Sequence, residues 1–420
     1  MPRGPVPGVW QIGRVTQGQG ESTASGRADH RGLPPVAGGA LLAAAVVLTA
    51  LNLRPAVTAV APLLGSMQAD LGVSATWAGV LTTLPTLCFA GAGLLAPRLA
   101  ARLGLGRTIS AALVALTLGL LARTVDGPHL VLAATLVACA GIALANVLLP
   151  VVIKASFPAR VGLMTGVYTA ALQGGGALGS AVTPALEEPL GGWPGALASW
   201  AAVSALALLL WWPAARRHGH SWAEALTPVR GGRSLLRNRL AWTVTLFFGF
   251  QSALAYIAMG WLPQVFIDSG VDKTTAGLLV GVTSLVGVPI ALVVAPLAAR
   301  SRAQSGWIAG LCGAGLTGAV GLTLAPAAQP LLWSLLLGVG LGVFALAVAV
   351  IALRTRTPED TAQLSGMAQG LGYLIASAGP FLFGLLHDAT DGWTVPWLLF
   401  LLIYAAQVTF GVLAGRPRYV

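Results

Sequence analysis

The chain has 420 residues, of which 56% are hydrophobic and only 9% are charged, and its formal net charge is +11. Globular proteins carry about 25% charged residues, so this composition excludes an ordinary soluble fold and indicates a protein that lies in a lipid bilayer. The three cysteines, Cys88, Cys139 and Cys312, all lie in apolar runs and form no CxxC or Cys/His pattern. We therefore expect them to be core residues, and we expect neither a metal nor a cofactor.

Residues 1–38 are rich in Pro, Gly, Ser and Arg and contain no apolar segment of the kind found in a signal peptide. They are predicted to form a disordered cytoplasmic tail. Beyond them, runs of about 20 apolar residues, the length that crosses a bilayer as a helix, occur twelve times. The predicted spans are 40–63, 77–98, 107–123, 129–152, 162–185, 195–213, 240–264, 276–299, 306–324, 328–352, 363–386 and 395–415.

The two sets of six spans resemble each other at an offset of about 200 residues. For example, "FPARVGLMTG" (157–166) aligns with "TPEDTAQLSG" (357–366), so that Pro158 matches Pro358 and Gly166 matches Gly366. Such repeats indicate two related bundles. The sequence predicts an all-α membrane protein with twelve transmembrane helices in two six-helix bundles related by pseudo-two-fold symmetry. The predicted parts are an N-terminal bundle (39–213), a cytoplasmic linker (214–238), a C-terminal bundle (239–415) and a cytoplasmic tail (416–420).

The basic residues alternate with the spans. If both termini are cytoplasmic, all but Arg54, Arg123 and Lys273 among the 24 Lys and Arg residues lie on the cytoplasmic side. This is the positive-inside rule, so the positive charge reports topology and we expect no nucleic-acid partner. We expect a multi-pass, monomeric protein of the cytoplasmic (inner) membrane. Basic residues assigned to a cytoplasmic gate and its loops are Arg98, Arg102, Arg107, Lys154, Arg300 and Arg354.

Arg54 lies about 14 residues into the first span, near the middle of the bilayer. A cation at this depth costs at least about 2.5–3.5 kcal/mol and needs a partner. No Asp or Glu lies within a predicted span, although Glu187 and Glu188 are close to one end. The guanidinium could therefore contact an anionic substrate, whose planar oxygens suit its two parallel N–H groups, or it could brace neighbouring helices.

A polar stripe on the fifth span recurs on the eleventh. Thr165, Thr169 and Gln173 share one helix face with Gly176, and the equivalent positions 200 residues later are Ser365, Gln369, Tyr373 and Ala376. Such a face lines a cavity or forms hydrogen bonds between helices, and the repetition favours a cavity. The same two alternatives apply to Asn146 and Gln251. The residues predicted to bind substrate are Arg54, Asn146, Tyr168, Thr169, Gln173, Gln251, Tyr256, Gln369 and Tyr373.

Three segments resemble a known family: "LNLRPAVTAVAPLL" (51–64), "AGVLTTLPTLCFAGAGLLAPRLAARLG" (78–104) and "GLMTGVYTAALQGGGALG" (162–179). With the layout of six plus six spans, they make the chain similar to the major facilitator superfamily, and within it to the cyanate/nitroimidazole transporter family. One departure is Pro97-Arg98, where the wider superfamily usually has an acidic residue. The resemblance implies transport by alternating access of small, cyanate-like anions or nitroimidazole-like heterocycles.

The resulting prediction is a secondary transporter that moves a small, anionic or polar molecule around a central site near Arg54. An alternative is efflux of amphipathic drugs, which the low aromatic content (7%), expected mostly near the span ends, disfavours. A second alternative is a membrane sensor that transports nothing. A membrane-embedded enzyme would need a nucleophile with a base, or a metal cluster, at membrane depth, and the predicted spans contain no such set of residues, so we expect no enzymatic activity.

Overall fold

The computed structural model describes residues 39–125, 127–218 and 235–420. The predicted tail (1–38) and most of the predicted linker lie outside the described residues. Twelve long helices follow one another in the described chain. They are α1 (Gly39–Leu71), α2 (Ala75–Leu103), α3 (Leu105–Ala122), α4 (Pro128–Ser156), α5 (Val161–Glu187), α6 (Trp193–His218), α7 (Arg239–Asp268), α8 (Lys273–Arg300), α9 (Ser305–Leu324), α10 (Pro330–Leu353), α11 (Pro358–Thr390) and α12 (Thr394–Ala414).

The predicted fold of twelve helices in two bundles is confirmed. Among the described residues, eleven of the helices are long and apolar enough to cross a membrane. The twelfth is α5, whose glycines and polar stripe lower its hydropathy although it has 27 residues. Several helices extend beyond the predicted spans: α1 continues to Leu71 where the apolar run ends at 63, and α6 continues to His218, into the predicted linker. Hydropathy detects only the part of a helix that faces hydrocarbon, so polar end turns escape it.

Local capping fixes several helix starts at one end of the bundle. Ser74 accepts a hydrogen bond from the N–H of Trp77 and so begins α2, and Asp272 accepts one from the N–H of Thr275 and begins α8. Each cap satisfies a backbone donor that the first turn leaves without a partner. Gly72 ends α1 with φ of 64°, a left-handed conformation that glycine adopts at little cost.

The helices α1–α6 form one half and α7–α12 the other. The halves meet where α2 packs against α11 and where α5 packs against α8. Close approach at the second contact depends on Gly277, because a Cβ there would lie 2.3 Å from the carbonyl oxygen of Ser180. Small residues of this kind let helix backbones approach closely in membranes.

Two of the helices are interrupted at mid-length. In α1 the regular helix ends at Asn52 and resumes at Pro55, which has no backbone N–H to donate. In α10 it ends at Leu341 and resumes at Phe344. Interrupted helices at membrane depth occur where protein or water satisfies the freed carbonyl groups. The interruption of α1 places Arg54 at the centre of the protein.

Candidate functional site

Arg54 is the residue that precedes Pro55 at the interruption of α1. It is the sixteenth of the 33 residues of this span and therefore lies at mid-length of the helix. Its side chain is half-buried. A Cβ at Gly176 of α5 would lie 3.1 Å from Cδ of Arg54. The glycine of the polar stripe thus makes room for the stem of the arginine.

The Arg54 guanidinium has few partners. Its one hydrogen bond among the described residues joins Nη1 to Sδ of Met259 on α7, at 3.9 Å. A thioether is a weak acceptor, and a guanidinium offers five N–H groups, so most of its donors are not satisfied by this contact. No carboxylate of the described residues forms an ion pair with it. The arrangement therefore presents a positively charged donor fork at the centre of the protein, between α1, α5 and α7.

Three tyrosines lie in the neighbourhood of this charge. Tyr168, Tyr256 and Tyr373 are all within electrostatic range of Arg54. Tyr168 also donates a hydrogen bond of 2.6 Å to Oδ1 of Asn146 on α4. The structure thus brings five of the predicted substrate-binding residues together, from α1, α4, α5, α7 and α11. Both halves contribute to the cluster, as a central site requires.

An aromatic wall adjoins the cluster, and the sequence analysis did not anticipate it. The ring of Phe89 on α2 stacks on Tyr373 with centroids 5.2 Å apart and an interplanar angle of 28°. Phe248 meets Tyr373 edge-on at 5.1 Å, and Phe89 lies 6.3 Å from Tyr256. The prediction that aromatic residues lie mostly near span ends is wrong for these four. The wall offers flat faces on which a planar molecule can stack.

The polar stripes of α5 and α11 become more exposed towards the end of the protein where α1 begins and α12 ends. On α5, Gly176 is buried and Thr165 is exposed. On α11, Tyr373 is buried, whereas Gln369 is half-buried and donates to Ser365 within its own helix. Both stripes are thus buried near Arg54 and more exposed towards the start of their helices.

Other predicted residues of the stripes take local partners. Thr169 donates to the carbonyl of Thr165 at 2.9 Å. Gln173 spans the two halves, because its amide donates to the carbonyl of Ser284 on α8 at 3.1 Å. Of the two readings of the stripe, this contact corresponds to hydrogen bonding between helices, here across the two halves.

Gln251 lies apart from this cluster. It is fully buried inside the C-terminal half, where its amide donates to the carbonyl of Leu341 at 2.8 Å and its oxygen accepts from Gln407. Leu341 is the last residue before the interruption of α10, and its carbonyl is left free because the N–H of Ala345 bonds to Gly342 instead. These contacts correspond to the helix-joining alternative for Gln251.

The basic residues assigned to the cytoplasmic gate divide into two groups. Five of them are exposed at the end of the protein where α1 begins and α12 ends: Arg98, Arg102, Arg107, Lys154 and Arg300. The sixth, Arg354, is buried and donates to the carbonyls of Leu353, Ala414 and Gly415 and to the side chain of Gln304. It fastens the end of α10 to α9 and α12 within one half. The gate itself stays a prediction.

The opposite end of the protein, which we call the closed end, is formed by the turns that follow α1, α5, α7 and α11. There the carboxylate of Asp388 on α11 accepts hydrogen bonds from the N–H groups of Ala75 and Thr76 and from the Thr76 hydroxyl, at the start of α2. Asp388 is within a helix, whereas the sequence analysis placed every acidic residue in a loop or tail.

A second contact across the closed end joins α8 to α5 and α1. The ammonium group of Lys273 forms an ion pair with Glu187 and donates to the hydroxyl of Ser66 at 2.6 Å. Lys273 belongs to the C-terminal half and its two partners to the N-terminal half. With Asp388, it gives the closed end two polar links between the halves.

Sequence comparisons connect this arrangement to transport proteins. Residues 40–382 match the family model of the Major Facilitator Superfamily. The chain is 37% identical to the 2-nitroimidazole transporter of Escherichia coli, over 90% of this chain and 96% of that protein. It is 30% identical to the cyanate transport protein CynX of the same organism, over 84% and 91%. It is also 38% identical to the transporter YycB of Bacillus subtilis, over 89% and 93%.

Solved structures support the fold at lower identity. The D-xylose-proton symporter has a TM-score of 0.66 at 16% identity, covering 89% of this chain and 96% of the other. The nucleoside transporter NupG has a TM-score of 0.69 at 15% identity, covering 89% and 98%. Both likenesses concern the arrangement of the helices.

Proposed function

The chain belongs to the major facilitator superfamily as a multi-pass membrane transporter, and we propose that it moves a small anion or a small polar heterocycle by alternating access around Arg54. The observation that carries the proposal is the Arg54 guanidinium, which lies at mid-length of its span with a thioether as its one hydrogen-bond partner among the described residues. A charge in this position is stabilised by a ligand that supplies acceptors and a negative or polarised group.

The chemistry of the site favours a flat substrate. A guanidinium binds two coplanar oxygens through two parallel N–H groups, and a nitro group or a carboxylate presents such a pair. The stacked rings of Phe89 and Tyr373 lie beside the same cluster and suit a planar heterocycle. The names of two relatives, a 2-nitroimidazole transporter and a cyanate transport protein, agree with these two classes. We favour the heterocycle, because cyanate has no ring to stack.

The arrangement of the halves supports a rocking mechanism. The closed end is joined by Asp388 and Lys273, and the polar stripes become exposed towards the other end. We propose that the exposed end faces the cytoplasm, as the distribution of basic residues indicates, and that the protein lies in the bacterial inner membrane. Opening of the closed end would then expose Arg54 to the outside. No carboxylate pairs with Arg54 in the described chain, so the proposed coupling is uniport, exchange, or co-transport of a protonated substrate.

The test is transport in proteoliposomes with Arg54→Lys and Arg54→Ala. Loss of a charge-assisted pair of hydrogen bonds costs about 3 kcal/mol, so uptake of 2-nitroimidazole or cyanate should fall about 100-fold in Arg54→Ala. Arg54→Lys keeps the charge and loses the fork, so it should recover transport only in part. Arg239→Ala, at the exposed start of α7, is the matched control and should transport normally.

The substrate classes are separated by a third variant. Phe89→Leu removes a stacking face and keeps Arg54, so it should weaken transport of the heterocycle and leave that of cyanate unchanged. Normal transport by both Arg54 variants would refute the central role of this residue. Preferred transport of large amphipathic drugs by the wild-type protein would support the efflux alternative instead.

A further inference from the structure

Arg123 follows the last residue of α3 and turns back into the N-terminal half. It is the last residue of the predicted span 107–123 and was expected to face outwards, but its side chain is only 1% exposed. Nε donates to the hydroxyl of Thr135 on α4 at 3.0 Å, and Nη1 donates to the carbonyl of Ala56 at 2.8 Å. That carbonyl is free because the N–H of Val60 bonds to Val57 instead. Nη2 is buried and has no hydrogen-bond partner.

A small cavity borders this guanidinium. It is closed on most sides and offers about 20 Å³ to the centre of a water-sized sphere, which is room for a single water molecule or a monatomic ion. Both halves line it, because Tyr256 and Gly260 of α7 complete a wall made by α1, α2, α3 and α4. Its polar groups include the hydroxyls of Thr82 and Thr135, together with Arg123. Arg54 is not among the lining residues.

The charge of Arg123 is the reason to expect an anion. An arginine stays protonated in proteins, and a buried charge is normally paired. In the described residues no carboxylate bonds to Arg123, and its partners are one hydroxyl and one carbonyl, both neutral. A water molecule in the cavity would supply an acceptor without charge. A monovalent anion would supply both.

We propose that the cavity beside Arg123 binds a small monovalent inorganic anion of the size of chloride. The cavity is distinct from the proposed substrate position at Arg54, although Tyr256 borders both, and the proposal does not depend on which substrate is carried. The anion accepts a hydrogen bond from Nη2 and from the hydroxyl of Thr135, whereas the hydroxyl of Thr82 already donates within its own helix. It neutralises a charge that no carboxylate of the described residues balances. Because Tyr256 and Gly260 come from the other half, a rocking motion that separates α7 from α1 opens the cavity and releases the anion.

The first test is the melting temperature of the detergent-solubilised protein in sodium chloride against sodium gluconate at equal sodium concentration. Chloride should raise the Tm of the wild-type protein by on the order of 2 °C, in a saturable manner. Arg123→Gln should remove the dependence on chloride. Arg354→Gln is the matched control: this arginine is also buried, but protein acceptors satisfy it, so the variant should be less stable yet keep the chloride effect.

The second test uses the wild-type protein alone, and so does not depend on how well Arg123→Gln folds. Crystals grown in sodium bromide should show an anomalous difference peak beside Nη2 of Arg123. A cavity that holds only water would give no peak, and the Tm would be the same in chloride and gluconate. Either that result, or an equal chloride effect in wild type and Arg123→Gln, would overturn the proposal.

Discussion

The link between Asp388 and the start of α2 allows the stability of the closed end to be predicted. The carboxylate of Asp388 accepts hydrogen bonds from two N–H groups and one hydroxyl of the opposite half. These donors lie at a helix N-terminus, where the helix dipole also favours a negative charge. Each hydrogen bond to a charged group contributes about 1.5–3 kcal/mol when buried. Asp388 is half-buried and water replaces part of this on opening, so we expect Asp388→Ala to destabilise the closed end by about 2 kcal/mol.

A change of about 2 kcal/mol corresponds to about 30-fold in the equilibrium between closed and open states. If about 1% of the wild-type molecules are open at this end, the variant should have about a quarter open. The folded state itself changes little, because each half keeps its own helix packing. The effect should therefore appear as a redistribution between two distances rather than as unfolding.

The assay is a distance distribution between spin labels at Leu190 and Thr390, in a background where the three native cysteines are replaced by serine. Both positions are exposed at the closed end, one in each half. Asp70→Ala is the matched control, because Asp70 accepts from the indole of Trp193 within the N-terminal half. An equal distance distribution in Asp388→Ala and wild type, or an equal shift in Asp70→Ala, would refute the reasoning.

Three further outcomes are expected. Lys273→Met breaks a partly exposed ion pair worth about 1 kcal/mol, so the same labels should show about a fivefold rise in the open state, and less of a rise at high salt. Gly175→Ala would put a Cβ 2.0 Å from a backbone oxygen of α1 and should lower the Tm, whereas Gly174→Ala, with nothing within 4 Å, should leave it unchanged. Hydrogen bonds from Thr275 lower the pKa of Asp272 below its ordinary value of 3.8. The charged carboxylate therefore stabilises the folded protein fully above pH 3.8, and this stabilisation is lost as the pH falls through the lowered pKa. In Asp272→Ala this contribution is absent, so the Tm should fall less steeply below pH 3.8 than in the wild-type protein.

The number of helices could be predicted from the sequence because a bilayer imposes a simple requirement. Each span must be apolar along its length and must satisfy its own backbone, which leaves a run of about 20 residues that hydropathy detects. The position of Arg54 followed from the same requirement. The interruption of α1 next to Arg54 could be inferred from the sequence because Pro55 follows it. The interruption of α10 after Leu341 has no proline and depends on packing against other helices.

Side-chain direction was the part that hydropathy could not supply. Arg123 lies at a span end, where a loop position facing water was expected, yet its side chain returns into the protein to reach a free carbonyl. Phe89 and Tyr373 are far apart in the chain, so their stacking could not be predicted from spacing. Met259 could have been included among the predicted site residues, because it lies three residues after Tyr256 and therefore on the same helix face.

The two interrupted helices explain why the site is electrostatically asymmetric. In each of these helices a backbone carbonyl near the irregular segment is free, and a buried side chain from elsewhere in the same half donates to it: Arg123 to Ala56, and Gln251 to Leu341. The glutamine is neutral and its own oxygen is satisfied by a second glutamine. Arg123 also donates to a free carbonyl, but it carries a charge that nothing in the described chain balances. The same segment of α1 carries Arg54. Near these irregular segments the N-terminal half therefore holds Arg54 and Arg123, neither of which forms an ion pair within the described residues, whereas the C-terminal half holds the neutral Gln251.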